Sequence, residues 1–138
     1  MAKGVRRVLV TGSRSWADKD VLWDALDQQR EQYGLIVVVH GGCPTGADWL
    51  AWKWCHARGV ACEVHTADWT THGKAAGPLR NQRMVDLGAD VCLAFPFGES
   101  KGTRHCMKAA KKAGIPIKDY SYLLGIPIPN LDDDGNPL

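Results

Sequence analysis

Long apolar runs are missing from this chain. The longest, Leu35 to Val39, has about five residues, against the roughly 20 that a membrane-spanning helix needs, so no membrane partner is expected. Charge of one sign is also scarce: 17 basic residues stand against 15 acidic ones, a net charge of +2. That balance makes bulk nucleic-acid binding unlikely to be the role, while a local basic patch stays open. No CxxC pair occurs among the five cysteines Cys43, Cys55, Cys62, Cys92 and Cys106, and their odd number speaks against a disulfide framework. Reduced thiols in a reducing compartment are the expectation, with Cys43, in a glycine-rich loop, the one to watch. Neither GxGxxG after the first strand-like run nor GxxxxGK[ST] is present, which disfavours a standard dinucleotide dehydrogenase and a P-loop ATPase. No ligand partner lies at metal-site spacing from His40 or His72, so both read as hydrogen-bonded loop residues, and neither a metal nor another cofactor is expected. The basic segment Met1 to Arg7 runs into a strand without a cleavage site, so a signal peptide is not expected and a cytoplasmic location is.

What is there is ordinary globular composition, 45% hydrophobic and 23% charged over 138 residues. That length suits one domain whose core needs no metal or disulfide. Short β-branched apolar runs alternate with helical patterns. Val8–Val10, Leu35–Val39, Val60–Thr66 and Val91–Phe95 read as strands, with Ile115-Pro116-Ile117 as an edge strand because proline cannot donate to a central ladder. Between them, helices are expected over Asp18–Tyr33, Ala47 to Gly59, Leu79–Leu87 and Thr103–Ala113, with a capping box at Thr45 and Asp48. Ala67–Gly77 reads as an irregular stretch. Strands apolar on both faces, alternating with helices, imply a Rossmann-like, doubly wound α/β domain with a parallel sheet of about five strands. It is expected over residues 1–120, with 121–138 as a C-terminal extension whose Tyr122–Ile128 stretch is apolar enough to pack.

In such a sheet the ligand lies beyond the carboxyl ends of the strands. Three of those ends are rich in glycine and hydroxyls: Gly12, Ser13 and Arg14; Gly41 and Gly42 through Gly46; and Gly98, Glu99, Ser100, Gly102 and Thr103. Glycine lets backbone amides approach an anion, although tight strand-to-helix turns want it too. The polar stretch with Lys74, Arg80 and Asn81 runs into a helix start, where a guanidinium can clamp phosphate or carboxylate. Six tryptophans are many for this length. They suit a core and a subunit interface, or base stacking, for which Trp16 and Trp69 are the best placed.

The strings TGSRSW, HGGCPTGAD, ADWTTHGKAAGPLRNQRM and AFPFGESKGTRHCMKAA together resemble the YspA-type branch of the SLOG superfamily, over about Val8 to Ile117. That superfamily also holds the LOG phosphoribohydrolases and the DNA-processing protein DprA. The resemblance implies a nucleotide-type ligand, derived from NAD or ADP-ribose, and a homo-oligomer; phages and actinobacteria often carry this branch. Arg80 and Met84 match the RKxxM helix start of the hydrolases, and Pro96 through Thr103 matches their phosphate loop. Where the hydrolases place a glutamate, this chain has Arg104, His105 and Cys106, so Asp48, Glu99 or Asp68 would have to serve. The leading expectation is a nucleotide binder that senses or sequesters a signal, with Gly12, Ser13, Arg14, Gly41, Gly42, Asp48, Lys74, Arg80, Asn81, Gly98, Ser100, Gly102 and Thr103 at the ligand. A nucleotide N-glycosidase or phosphohydrolase, with Asp48, Glu99 and Arg80 as candidate catalytic residues, and an interaction module without ligand are the alternatives.

Overall fold

The computed structural model describes residues 4–121; apart from Ser121, the extension expected at 121–138, with Tyr122–Ile128, lies outside the described residues. Five strands, β1 (Arg6–Gly12), β2 (Ile36–His40), β3 (Ala61–Val64), β4 (Val91–Phe95) and β5 (Ile117–Asp119), alternate with helices α1 (Lys19–Tyr33), α2 (Gly46–Arg58), α3 (Trp69–His72), α4 (Ala76–Asp86) and α5 (Lys101–Lys112). All strands are parallel, in the order β3-β2-β1-β4-β5. This is the doubly wound α/β arrangement, and its strand order reverses between β1 and β4.

Alternation along β1 divides the core in two. Val8 and Val10 join Leu22, Leu26, Ala51 and Trp54 of α1 and α2 on one face. Leu9 points to the other face, with Met84 and Val85 of α4 and Cys106 and Ala110 of α5. Each Val, Leu or Met side chain among them, fully buried, contributes about 1.5–3 kcal/mol. Asp27 ties α1 to α2 by accepting from the Trp54 indole at 2.9 Å and from the Arg58 guanidinium at 3.0 and 3.1 Å.

Local structure departs from the sequence reading at several points. Ala67–Gly77 is largely helical, as α3, a 3-10 turn over Gly73–Ala75 and the start of α4. Asp68 accepts the Thr71 amide at 3.1 Å and caps α3. Pro78 therefore sits in the first turn of α4, where its missing N–H costs nothing. Thr45 occupies the N-cap of α2 but makes no side-chain capping bond. Asp48 instead reaches past it to the Cys43 amide at 3.2 Å, so the expected capping box does not form. The fifth strand starts at Ile117, directly after Pro116.

The end of β1 and the start of α2 touch backbone to backbone. Ser13 O accepts the Ala47 amide at 3.1 Å, and a Cβ on Gly46, at φ +70°, would strike Ser13 O and the Arg14 backbone. Gly59, at φ +67°, has open space around it. Gly46→Ala is therefore expected to cost about 2–3 kcal/mol, roughly 10 °C in melting temperature, and Gly59→Ala about 1 kcal/mol, roughly 4 °C. Thermal melts followed by circular dichroism check the pair; equal losses would show that strain alone, and not close packing, demands Gly46.

Candidate functional site

A cavity of about 760 Å³ opens at the carboxyl ends of β1, β2 and β4, a volume ordinary for a small-molecule site. Its walls are Thr11 to Arg14 after β1, Gly41 to Thr45 after β2, and Ser100 to Thr103 at the start of α5, with Trp69, Arg80 and Asn81 from the side.

The three glycine-bearing loops are not equivalent. After β1, the Ser13 amide donates to Phe95 O at 3.0 Å and the Trp16 amide to Ser13 O at 3.2 Å. After β2, the Gly42 amide donates to His40 Nδ1 at 3.0 Å and the Cys43 amide to Asp48 Oδ2 at 3.2 Å. The Ala47 amide of α2 is held by Ser13 O. At α5 the first intrahelical acceptor, Ser100 O, serves Arg104 at 3.0 Å. The amides of Lys101, Gly102 and Thr103 precede it and belong to the orphan donors of a helix start, where the dipole also favours an anion.

Arg80 and Asn81 position that turn. Arg80 Nη1 donates to Gly41 O at 2.8 Å and Nε to Asn81 Oδ1 at 2.9 Å, which fixes the fork and leaves Nη2 for a ligand. Asn81, buried in α4, donates through Nδ2 to Gly102 O at 3.1 Å. An amide inside a helix has its explanation there: it links α4 to the first turn of α5. Ser100, at φ +48°, donates its hydroxyl to Thr103 Oγ1 at 2.8 Å.

Asp48 is buried in the cavity wall. Burial pushes its carboxyl above the usual range, against the pull of His40, the Cys43 amide, Arg80 and the Gly41 amide. Arg14, Arg80 and Lys101 line the same cavity, so cations outnumber its one carboxylate. Trp69 is half exposed on the rim, with the Arg14 guanidinium 5.6 Å from its ring centre.

Comparison with known proteins agrees with this architecture. Residues 6–72 match the family described as YspA, cpYpsA-related SLOG. The chain is 55% identical over 123 residues to the Gene 61 protein of Mycobacterium phage D29, across 84% of this chain and 97% of that one. The chain belongs to the YspA, cpYpsA-related SLOG family. Its fold is also similar to that of the Moco Carrier Protein from Chlamydomonas reinhardtii, with a TM-score of 0.61 and 19% identity over 84% of this chain and 76% of that one.

In this SLOG chain the cavity gathers Gly12, Ser13, Arg14, Gly41, Gly42, Asp48, Arg80, Asn81, Ser100, Gly102 and Thr103. Lys74, Gly98 and Glu99 are absent from its lining. Lys74 sits in the exposed 3-10 turn, and the Gly98 and Glu99 carbonyls accept from Arg104 at 3.4 and 3.0 Å. Of the three carboxylates weighed, Asp48 alone lines the cavity. Trp16 is corrected outright: it is buried, edge-on to Phe95 at 5.3 Å, with its indole donating to Asp18 O at 2.9 Å. Thr11 and Lys101, which belong to the same glycine-bearing loops but not to the expected ligand residues, also line the cavity; their place beside the glycines was the available signal. Among the described residues no group of three His, Cys, Asp or Glu could hold a metal ion, and no helix is long and apolar enough to cross a membrane.

The sign of the Asp48 shift gives a test. A carboxyl whose pKa is raised by folding stabilises the fold while protonated, and that stability is lost as pH rises through the folded value. Asp48→Asn is expected to raise the melting temperature at about pH 8 and to lose the advantage near pH 4, where the unfolded carboxyl also holds its proton. Melts across that range check it; a variant less stable than the native chain at pH 8 would mean that the carboxylate's hydrogen bonds outweigh its desolvation.

Proposed function

We propose that this protein binds a phosphate-bearing nucleotide or nucleotide derivative of the NAD or ADP-ribose kind in the cytosol, and holds it without rapid turnover. The observation that carries the reading is the start of α5, whose Lys101, Gly102 and Thr103 line the same cavity as Arg80, with the donors of a helix start among them. A phosphate there gains charge-assisted bonds from amides and guanidinium together. Trp69, on the rim, offers a face for the base, and Asp48 an acceptor for a ribose hydroxyl. The fold neighbour's name, a carrier protein, supports holding a ligand rather than transforming it; a part in sensing or sequestering a nucleotide signal would follow from such holding. A homo-oligomer fits the exposed Trp49, stacked on Trp52 at 5.1 Å, and light scattering would test it.

Asp48 favours a second reading. A buried carboxyl with a raised pKa is the kind of group that moves a proton in hydrolysis. Cleaving an N-ribosidic bond would add water at the anomeric carbon and release the base with a proton, and Asp48 alone would have to serve.

Melting temperatures with AMP, ADP-ribose, NAD and ATP decide between binding and none. A ligand at 100 times its dissociation constant adds about 2.7 kcal/mol, a shift of several degrees. Gly102 has open space where a Cβ would stand, so Gly102→Val is expected to fold and to lose the shift by filling the phosphate position. Trp69→Ala should weaken binding by about 1–3 kcal/mol. No shift with any nucleotide, or a shift unchanged in Gly102→Val, sinks the reading. Chromatography after overnight incubation should return the ligand intact; free base, abolished by Asp48→Asn, would establish the hydrolase instead.

A further inference from the structure

Behind the β2 loop lies a second cluster that the ligand reading leaves unused. His40 ends β2, is buried, and accepts the Gly42 amide on Nδ1 at 3.0 Å. That bond leaves the proton of the neutral ring on Nε2. Nε2 lies 3.1 Å from Cys62 Sγ, on the neighbouring edge strand β3. Cys62 packs against the core cluster that contains Cys55, near the end of α2, and Cys55 Sγ lies 4.0 Å from the carbonyl oxygen of Ala61, the residue before Cys62. The turn at Gly59 joins α2 to β3, with the Val60 amide on Cys55 O at 2.9 Å, and so brings the two cysteines to the same end of the sheet's edge. All five cysteines are free thiols, and Cys55 is buried while Cys62 is partly exposed.

We propose that Cys55 and Cys62 form a redox-active dithiol, with Cys62 the nucleophile toward a hydroperoxide and Cys55 the thiol that resolves it. An imidazole N–H aimed at a sulfur, with a second thiol near by, favours its thiolate. The Cys55 thiol first, and then His40, hold Cys62 below the usual thiol range against the effect of burial, while the Cys55 thiol is pushed up. The roles follow, since the thiolate attacks and the protonated neighbour waits. In the first step the Cys62 sulfur attacks the peroxide, the O–O bond breaks, and a sulfenic acid and one water (or alcohol) form. In the second, Cys55 sulfur attacks that sulfenic sulfur, the S–O bond breaks, and a disulfide and a second water form. Two thiols lose two electrons and two protons, and the hydroperoxide gains them. An external dithiol reverses the bond. The proposal does not rest on the identity of the cavity's ligand.

The test uses the full chain, freed of reductant and treated with stoichiometric hydrogen peroxide, then alkylated and digested with trypsin without reduction. Cleavage after Arg58 separates the two cysteines. The expected product is the peptide from Trp54 to Arg58 joined to that from Gly59 to Lys74, two hydrogens lighter than their sum and separated by dithiothreitol. Cys43→Ser should leave this product unchanged. Cys62→Ser should abolish it and leave Cys55 open to alkylation after denaturation. His40→Gln should slow its formation about tenfold, as the thiolate fraction falls; if that variant does not fold, the two serine variants carry the test. Full alkylation of both cysteines, over-oxidation of Cys62 without linkage, or disulfides formed through Cys43 instead would overturn the proposal.

Discussion

The close approach of β1 to α2 is the constraint from which the rest of the site follows. Gly12 packs against Ala47, Gly46 against the Ser13 carbonyl, and the Ala47 amide closes the contact at 3.1 Å. A side chain at either glycine would push the helix off the strand end. With the helix seated, several amides of the first two loops are already engaged: Ser13 on Phe95 O of β4, Gly42 on His40, Cys43 on Asp48 of α2. Backbone groups bonded in this way have little left to give a ligand. The start of α5, on the far side of the strand-order reversal, keeps its donors, and the two flanking loops become shaped walls.

The polar side chains in those walls hold a charge that the fold would be more stable without. Asp48 is buried beside Arg80, yet the two do not pair off as an isolated ion pair. The carboxylate takes backbone amides, and the guanidinium takes Gly41 O and Asn81. Each is thereby fixed in place with capacity left over. A buried carboxyl whose pKa is raised costs stability at neutral pH, and such a cost is commonly met at sites that bind or react. Asn81 extends the same network to Gly102 O, so the arginine, the amide and the first turn of α5 are linked.

The fold was legible because its signals are local. Apolar β-branched runs of four or five residues, spaced by helical stripes and closed by glycine, leave few arrangements other than a parallel sheet covered on both sides. Boundaries were less legible. Ala67–Gly77 is polar and lacks a long stripe, yet it coils into α3 and a 3-10 turn because Asp68 caps it and Trp69 packs over Gly77. Trp16 looked like a ring at the ligand edge, since it follows a glycine loop in sequence. Its indole finds Asp18 O and its face finds Phe95, partners that the sequence alone could not bring together.

By itself, then, the sequence determined the class of fold, the strand ends that border the cavity, and most of the residues that line it, because periodicity and glycine placement are properties of neighbours along the chain. Only the tertiary structure decided which loop amides are already engaged, that Asp48 rather than Glu99 or Asp68 stands in the cavity, and that His40 meets Cys62. Those outcomes depend on which donors and acceptors are already satisfied across elements far apart in sequence. Hydrogen-bond saturation and burial are set by the packed molecule, and no local pattern of residues carries them.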